Sequence, residues 1–331
     1  MNSDDGFTAL RSRPRPGSPL RPARPPRRRW SRQRHHRRRR TAALLAVAVA
    51  AVVLAGLIVT VWGSRSPAPH VAGAQAAVRS QYFTRLRALA GSGPGSLAAA
   101  EVAAENRAID RTLAATAFVR VAGAQHRELA LTFDDGPGPY TPEVISILAR
   151  DHVPATFFEV GVLERYFHSS TSQILAHRWA IGDHTYYHAP MSRLSTYQQQ
   201  QQLLEQTSAI GHYGAGFPRM FRPPYGLWNN TTLKLLRHYR MLMVLWTVDT
   251  SDYARPGLGA IVHSAVSGAR PGAIILLHDG GGDRSETVAA LPKIITALRA
   301  RGYRFATVPR LLLDNPAPAH QNVYSIAGAG G

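Results

Sequence analysis

Asp134 and Asp135 stand side by side at the end of the apolar run 128–133 and directly before Gly136-Pro137-Gly138-Pro139, which can continue neither a strand nor a helix. Neighbouring residues on a strand tip point to opposite faces, so the two carboxylates cannot share a job without local distortion of the backbone. One could hold a metal ion while the other handles a proton. Downstream, His184 and His188 lie four residues apart in Asp183-His184-Thr185-Tyr186-Tyr187-His188, a spacing that lets two imidazoles converge on one ion if the segment turns helically. Three more polar clusters follow. In Arg222-Pro223-Pro224-Tyr225-Gly226 the prolines restrict the loop and fix the direction of the arginine. Asp249-Thr250-Ser251-Asp252-Tyr253 and Leu276-Leu277-His278-Asp279-Gly280 each close a long apolar stretch. Taken singly, each cluster reads as something ordinary: an acidic turn, surface histidines, a rigid bend, loop residues, a histidine at the end of a sheet.

Their common position gives them weight. Strands are expected at 128–133, 155–160, 179–182, 219–221, 241–248, 273–277 and 304–308, with helices at 142–150, 170–177, 196–211, 231–239, 258–267 and 286–301. Such alternation argues a parallel α/β arrangement, barrel or open sheet. All five clusters then fall just after a strand, at the carboxyl edge where parallel α/β folds assemble their active sites. The glutamine run 198–202 falls in a helical pattern and reads as a solvated helix face. His168, His177, His212, His238 and His263 have no partners in pattern and read as structural or solvated.

The chain of 331 residues has ample material for a core and contains no cysteine, which excludes disulfides, thiolate ligands and cysteine nucleophiles together. Any metal must be held by His, Asp or Glu. Net charge is +19, but residues 1–40 hold fourteen arginines against Asp4 and Asp5, so +12 belongs there and +7 to the rest. That segment is too polar to form a core and is expected to be a disordered cytoplasmic tail. An arm for nucleic acid would also use many arginines, yet the next segment supplies a simpler reason. Residues 42–62 carry no charge and match the roughly 20 residues that cross a hydrocarbon core as a helix. Arginines before the span and few after it place the amino terminus in the cytoplasm and the remainder outside. Ala74-Gln75-Ala76 resembles a small-residue cleavage site and the paired arginines could serve twin-arginine export, but the apolar run exceeds the ~7–15 residues of a signal-peptide core. The expectation is an uncleaved anchor at 41–62, a linker and accessory helix at 63–117, a catalytic domain at 118–314 and a loose tail at 315–331. No nucleic acid is expected as a partner.

In this order the five clusters, TFDDGP, HTYYH, RPPYG, DTSDY and LLHD, resemble the motifs of the polysaccharide deacetylases, the NodB-homology domain of carbohydrate esterase family four. The resemblance covers about 118–314. It implies an α/β fold, a distorted (β/α) barrel, and metal-dependent removal of acetyl groups from polysaccharides, with Zn2+ the usual ion. Residue by residue it implies Asp135, His184 and His188 as metal ligands, Asp134 as catalytic base and His278 as catalytic acid. Arg222 would orient Asp134, while Asp252 would partner Arg222 and tune His278. The backbone N–H of Tyr225 would face the oxyanion and Leu276 would line the acetyl pocket. Tyr253 stands where members of the family often have Trp, which puts the wall of that pocket in question. Together with the anchor, the resemblance leads to the N-acetylglucosamine units of peptidoglycan as expected substrate. Chitin oligomers, exopolysaccharide and acetyl-xylan remain open, as does a non-catalytic glycan-binding relic of the fold.

Overall fold

The structure, a computed structural model, describes residues 97–321. The readings made for the tail 1–40, the apolar span 41–62, the linker up to residue 96 and the end of the chain from 322 lie outside the described residues. Among the described residues no helix is long and apolar enough to cross a membrane.

Helix α1 (Leu97–Ala115) leads into the short strand β1 (Phe118–Val119). Strands and helices then alternate: β2 (Glu128–Gly136), α2 (Thr141–Arg150), β3 (Thr156–Glu159), α3 (Glu164–Ala176), β4 (Ala180–Asp183), α4 (Thr196–His212), β5 (Met220–Phe221), α5 (Asn230–Tyr239) and β6 (Leu242–Val244). The chain continues through β7 (Val248–Asp249), α6 (Leu258–Ser267), β8 (Ile274–His278), α7 (Ser285–Ala300), β9 (Arg304–Phe305) and α8 (Val308–Asp314). Strand order is β1-β6-β5-β4-β3-β2-β8-β7, with β9 beside the start of β2, and every ladder is parallel. Hydrogen bonds from Ala122 N to Gly272 O and from Thr247 Oγ1 to Arg120 O draw the two ends of this order together. The result is a curled parallel sheet, a half-barrel.

Two-residue periodicity decides which side each strand residue serves. On β2, Leu129, Leu131 and Phe133 join Phe157, Ile275 and Leu277 in the main core, against Val144 and Leu148 of α2 and Ile294 and Leu298 of α7. The alternate residue Ala130 faces a second cluster with Phe158, Leu242 and Ile274, closed by Ile109 of α1 and Leu311 and Leu312 of α8. Helix α1, expected as an accessory helix, therefore contributes to the core.

Several boundaries differ from expectation for local reasons. The stretch 241–248 divides into β6 and β7, because Leu245 N pairs with Val119 O and Thr247 N with Ile274 O across the closure of the sheet. The stretch 304–308 divides into β9 and α8, where the Thr307 side chain accepts from Arg310 N and Pro309 occupies the first turn. The glutamine run is half internal: Gln199 and Gln202 are buried, Gln199 accepting from Thr232 Oγ1 at 2.7 Å and Gln202 from Tyr187 N at 2.8 Å. Beyond α8, Asn315 is buried, its Nδ2 donating to Glu128 Oε2 and its Oδ1 accepting from His126 N. The segment expected to be loose thus begins docked.

Candidate metal-dependent active site

The distortion that the paired carboxylates demand is present. Pairing between β2 and β3 slips between Asp134 and Gly136, and Asp135 adopts φ +69°, in the left-handed region. Asp134 keeps the inward parity of Ala130 and Thr132, while the bulge swings Asp135 to the same side. Both carboxylates consequently meet His184, whose Nε2 lies 3.7 Å from Asp134 Oδ2 and 3.4 Å from Asp135 Oδ1. His188 Nε2 is 2.9 Å from the same Asp135 oxygen. Left-handed backbone recurs in this neighbourhood at Thr185, His188, Tyr225 and Ser251. Each such residue stores on the order of 1–3 kcal/mol of strain, a pattern typical of functional edges.

Asp135, His184 and His188 each offer a ligand atom within 4.8 Å of the others. Asp135 Oδ1 is buried and no donor is aligned with it as a hydrogen bond, although both imidazole nitrogens approach it. A buried oxygen left in that state between two ring nitrogens fits a divalent cation, and two imidazoles with one carboxylate form a donor set for Zn2+ that leaves a position open. His184 is prepared for this: its Nδ1–H donates to Arg222 O at 2.7 Å, which leaves Nε2 as the nitrogen with a free lone pair. The Tyr225 hydroxyl lies 3.1 Å from His188 Nδ1. Burial pushes the Asp135 carboxyl up, but the two imidazoles and His278 outweigh it and hold the group well below the usual carboxylate range.

Beside this triad sit two ion pairs. Arg222 is fully buried, and its guanidinium donates to Val244 O, Leu245 O, Thr132 Oγ1 and Asp134 Oδ1, the last at 2.7 Å. Phe158 covers one face of it at 4.1 Å. Burial lowers the Arg222 pKa from its ordinary value, with Asp134 opposing. Across the β2–β8 ladder, where Asp134 is the register partner of His278, the imidazole Nδ1 is 2.7 Å from Asp252 Oδ1. Burial alone would pull the His278 pKa down; the hydrogen bond and charge of Asp252 reverse that and raise it to about 9. Asp252 itself is lowered, its burial outweighed by His278 and Thr287.

One expected contact is absent. Asp252 does not partner Arg222: its Oδ2 accepts from His278 N and Thr287 Oγ1, and the bound donors of Arg222 go to Asp134, Thr132 and two carbonyls. The acid of that motif felt by Arg222 is Asp249. Leu276 is buried on β8, and Tyr253 is exposed with its ring 5.4 Å from that of His278, edge to face. Supporting residues that sequence reasoning passed over are Thr132, Thr287, Asp183 and Asp279. Thr132 bridges Arg222 to Ile275 O, and Asp183 Oδ1 accepts from Thr185 N at 2.7 Å. Asp279 Oδ2 accepts from Thr141 Oγ1, and burial pushes its pKa up to about 7. Position beside His184 and His278 was the available signal for Asp183 and Asp279; the threonines had none.

A hydrolytic site with a three-ligand cation position and flanking acid and base pairs, built on the carboxyl ends of a curled parallel sheet, defines the class. Residues 122–244 match the profile of the family described as polysaccharide deacetylase. The chain is 40% identical over 187 residues to a peptidoglycan-N-acetylglucosamine deacetylase of Bacillus cereus, covering 56% of this chain and 87% of that one. It is 37% identical over 192 residues to a chitooligosaccharide deacetylase of Sinorhizobium fredii, covering 54% and 89% respectively. Among solved structures, the Bc1960 peptidoglycan N-acetylglucosamine deacetylase aligns with a TM-score of 0.59 at 29% identity, over 63% of this chain and 97% of that one. The chain belongs to the polysaccharide deacetylase family: it is a hydrolase of carbon–nitrogen amide bonds, a polysaccharide N-deacetylase.

Proposed function

We propose that this chain is a membrane-tethered, extracytoplasmic deacetylase of the N-acetylglucosamine units of peptidoglycan, with Zn2+ held by Asp135, His184 and His188. A cation bound there would acidify a water and polarise the amide carbonyl. Asp134, fixed in direction by Arg222, which Thr132 holds in turn, is the base placed to take a proton from the attacking water. His278, protonated at neutral pH through Asp252, gives its proton to the departing sugar amine. Tyr225, held at φ +58° beside His188, offers its backbone N–H to the tetrahedral oxygen, a contribution worth about 3 kcal/mol in other acyl-transfer sites. Leu276 and Tyr253 line the side that receives the acetyl methyl.

The observation that carries this reading is the flanking of one ligand triad by an arginine-bound carboxylate and a carboxylate-bound histidine, register partners on adjacent strands. Substrate and location draw on the uncharged span 42–62, which would tether the domain beside the wall, and on the similarity to the Bacillus enzyme. The similarity to the Sinorhizobium enzyme favours a second reading, soluble chitin oligomers. Incubation of the purified chain with peptidoglycan, chitin oligomers and acetylated xylan, with chelator and with Zn2+ restored, decides among these by acetate released. Peptidoglycan is expected to give the largest metal-dependent yield; release from chitin oligomers alone would move the substrate, and none from any with Zn2+ restored would remove the reading.

A further inference from the structure

The edge of the sheet opposite the site carries a charge pattern that catalysis does not use. Helices in such a fold run back against the strands, so their carboxyl ends and the following loops gather at the amino ends of the strands. Arg127 precedes β2, Arg150 closes α2, Arg178 follows α3 and Arg270 lies before β8; all are exposed. Arg237 and Arg240 do the same at the end of α5, and Arg299, Arg301 and Arg304 between α7 and β9. With the half-buried Arg219 before β5, and with Arg107 and Arg111 of α1 and Arg310 of α8, which pack at the same end, thirteen arginines stand there against six acids: Asp151 beside Arg150, Glu128 with Arg304, Asp110 with Arg219 and Arg240, Glu101 and Asp314 with Arg310, and Glu105 beside that pair. The edge is therefore +7. Residues 97–321 contain 21 basic and 18 acidic side chains, a net +3, so everything away from this edge sums to −4. The domain is electrically polarised along the strand axis.

Attraction to helix carboxyl ends accounts for a basic residue in a last turn, as at Arg150, Arg237 and Arg299. It does not account for Arg127, Arg270 and Arg304, which lie outside any helix. Nor do internal partners absorb the charge: among the described residues Arg178, Arg237 and Arg270 form no ion pair. A surface of this sign and breadth fits an anionic partner.

We propose that the arginine edge rests on an anionic bilayer surface and so turns the catalytic edge away from the membrane, toward the glycan. The choice of a bilayer over a soluble polyanion comes from the sequence and rests on the reading of the uncharged span as an anchor. Only 34 residues, 63–96, separate that span from the described domain, a chain length that keeps the domain within reach of the lipid headgroups. Anchoring supplies proximity, and the polarised charge sets which end faces down.

The absence of cysteine permits a direct test on the full chain. Ser267→Cys labels the arginine edge at the end of α6 and Glu143→Cys the catalytic edge in the first turn of α2; both positions are exposed. Each fluorophore is read against a headgroup quencher in vesicles of phosphatidylcholine, alone or with phosphatidylglycerol. Phosphatidylglycerol is expected to increase quenching at position 267 several-fold and leave position 143 unchanged, with the contrast lost at high salt. The combined variant Arg178→Gln, Arg237→Gln, Arg270→Gln should lose most of the contrast with its melting temperature little changed, since none of the three pairs with an acid and only Arg237 lies in a helix's last turn. Equal quenching at both positions, no response to phosphatidylglycerol, or a contrast that survives the triple variant would each overturn the proposal. So would retention of soluble polyphosphate without quenching by vesicles, which would assign the edge to a polymer. Failure of the anchor would appear separately, as no flotation with phosphatidylcholine vesicles, and the quenching contrast would still decide the face.

Discussion

At the carboxyl edge Arg222 holds Asp134 and Asp252 holds His278, two pairs whose contributions are separable. Asp134→Asn keeps a hydrogen-bonding partner for Arg222 but removes the proposed base; acetate release is expected to fall by about 10²–10⁴-fold, with the unfolding midpoint little changed. His278 has its pKa raised to about 9, above its ordinary 6.5, so the stability it contributes is complete below about 6.5 and is lost as pH rises through about 9. In the proposed mechanism the same proton passes to the leaving amine. A plot of kcat/KM against pH should therefore show an alkaline limb near 9, with Asp252→Asn drawing it back toward the ordinary histidine range. An unmoved limb would take His278 out of the acid role.

At the level of elements, the site is a set of loops brought to one edge by strands that are parallel throughout. The proposed ligands lie at and just beyond the ends of β2 and β4, so an ion bound by all three would join segments that are otherwise held through β3. Saturation at about a thousand times Kd adds about 4 kcal/mol to folding stability, so chelation should lower the melting temperature as well as abolish turnover. Calorimetry with and without chelator reads the two effects separately. The turn after β8 is equally committed: a Cβ at Gly280 would lie 1.9 Å from Asp135 O, backbone that cannot yield without moving the ligand. Gly280→Ala is expected to cost about 1–3 kcal/mol in denaturant unfolding and to weaken Zn2+ binding measured by titration of the folded protein. Normal Zn2+ affinity in that variant would show that the turn does not set the position of Asp135.

For the molecule as a whole, the catalytic domain and the first 72 residues should be functionally separable. A chain beginning near Gly73 is expected to release acetate from soluble chitin oligomers at the full-length rate while no longer floating with vesicles; loss of both together would mean that the removed segment shapes the site. The sequence by itself determined where the candidate site lies, because the clusters holding Asp134, Asp135, His184, His188, Arg222 and His278 each follow an apolar run, and such runs alternating with helices compel a parallel sheet that collects their ends. It also determined the hydrophobic parity of β2, since period two needs no long-range knowledge. Tertiary structure alone decided the rest. The bulge that brings Asp135 round to Asp134 arises from pairing with β3, a strand more than twenty residues on. Arg222 takes Asp134 and leaves Asp252 to His278 because β5 and β8 approach β2 from opposite sides of the sheet order. Thr132 and Thr287 become supports only once burial removes water as their alternative partner, and no local pattern records which threonines will lose it.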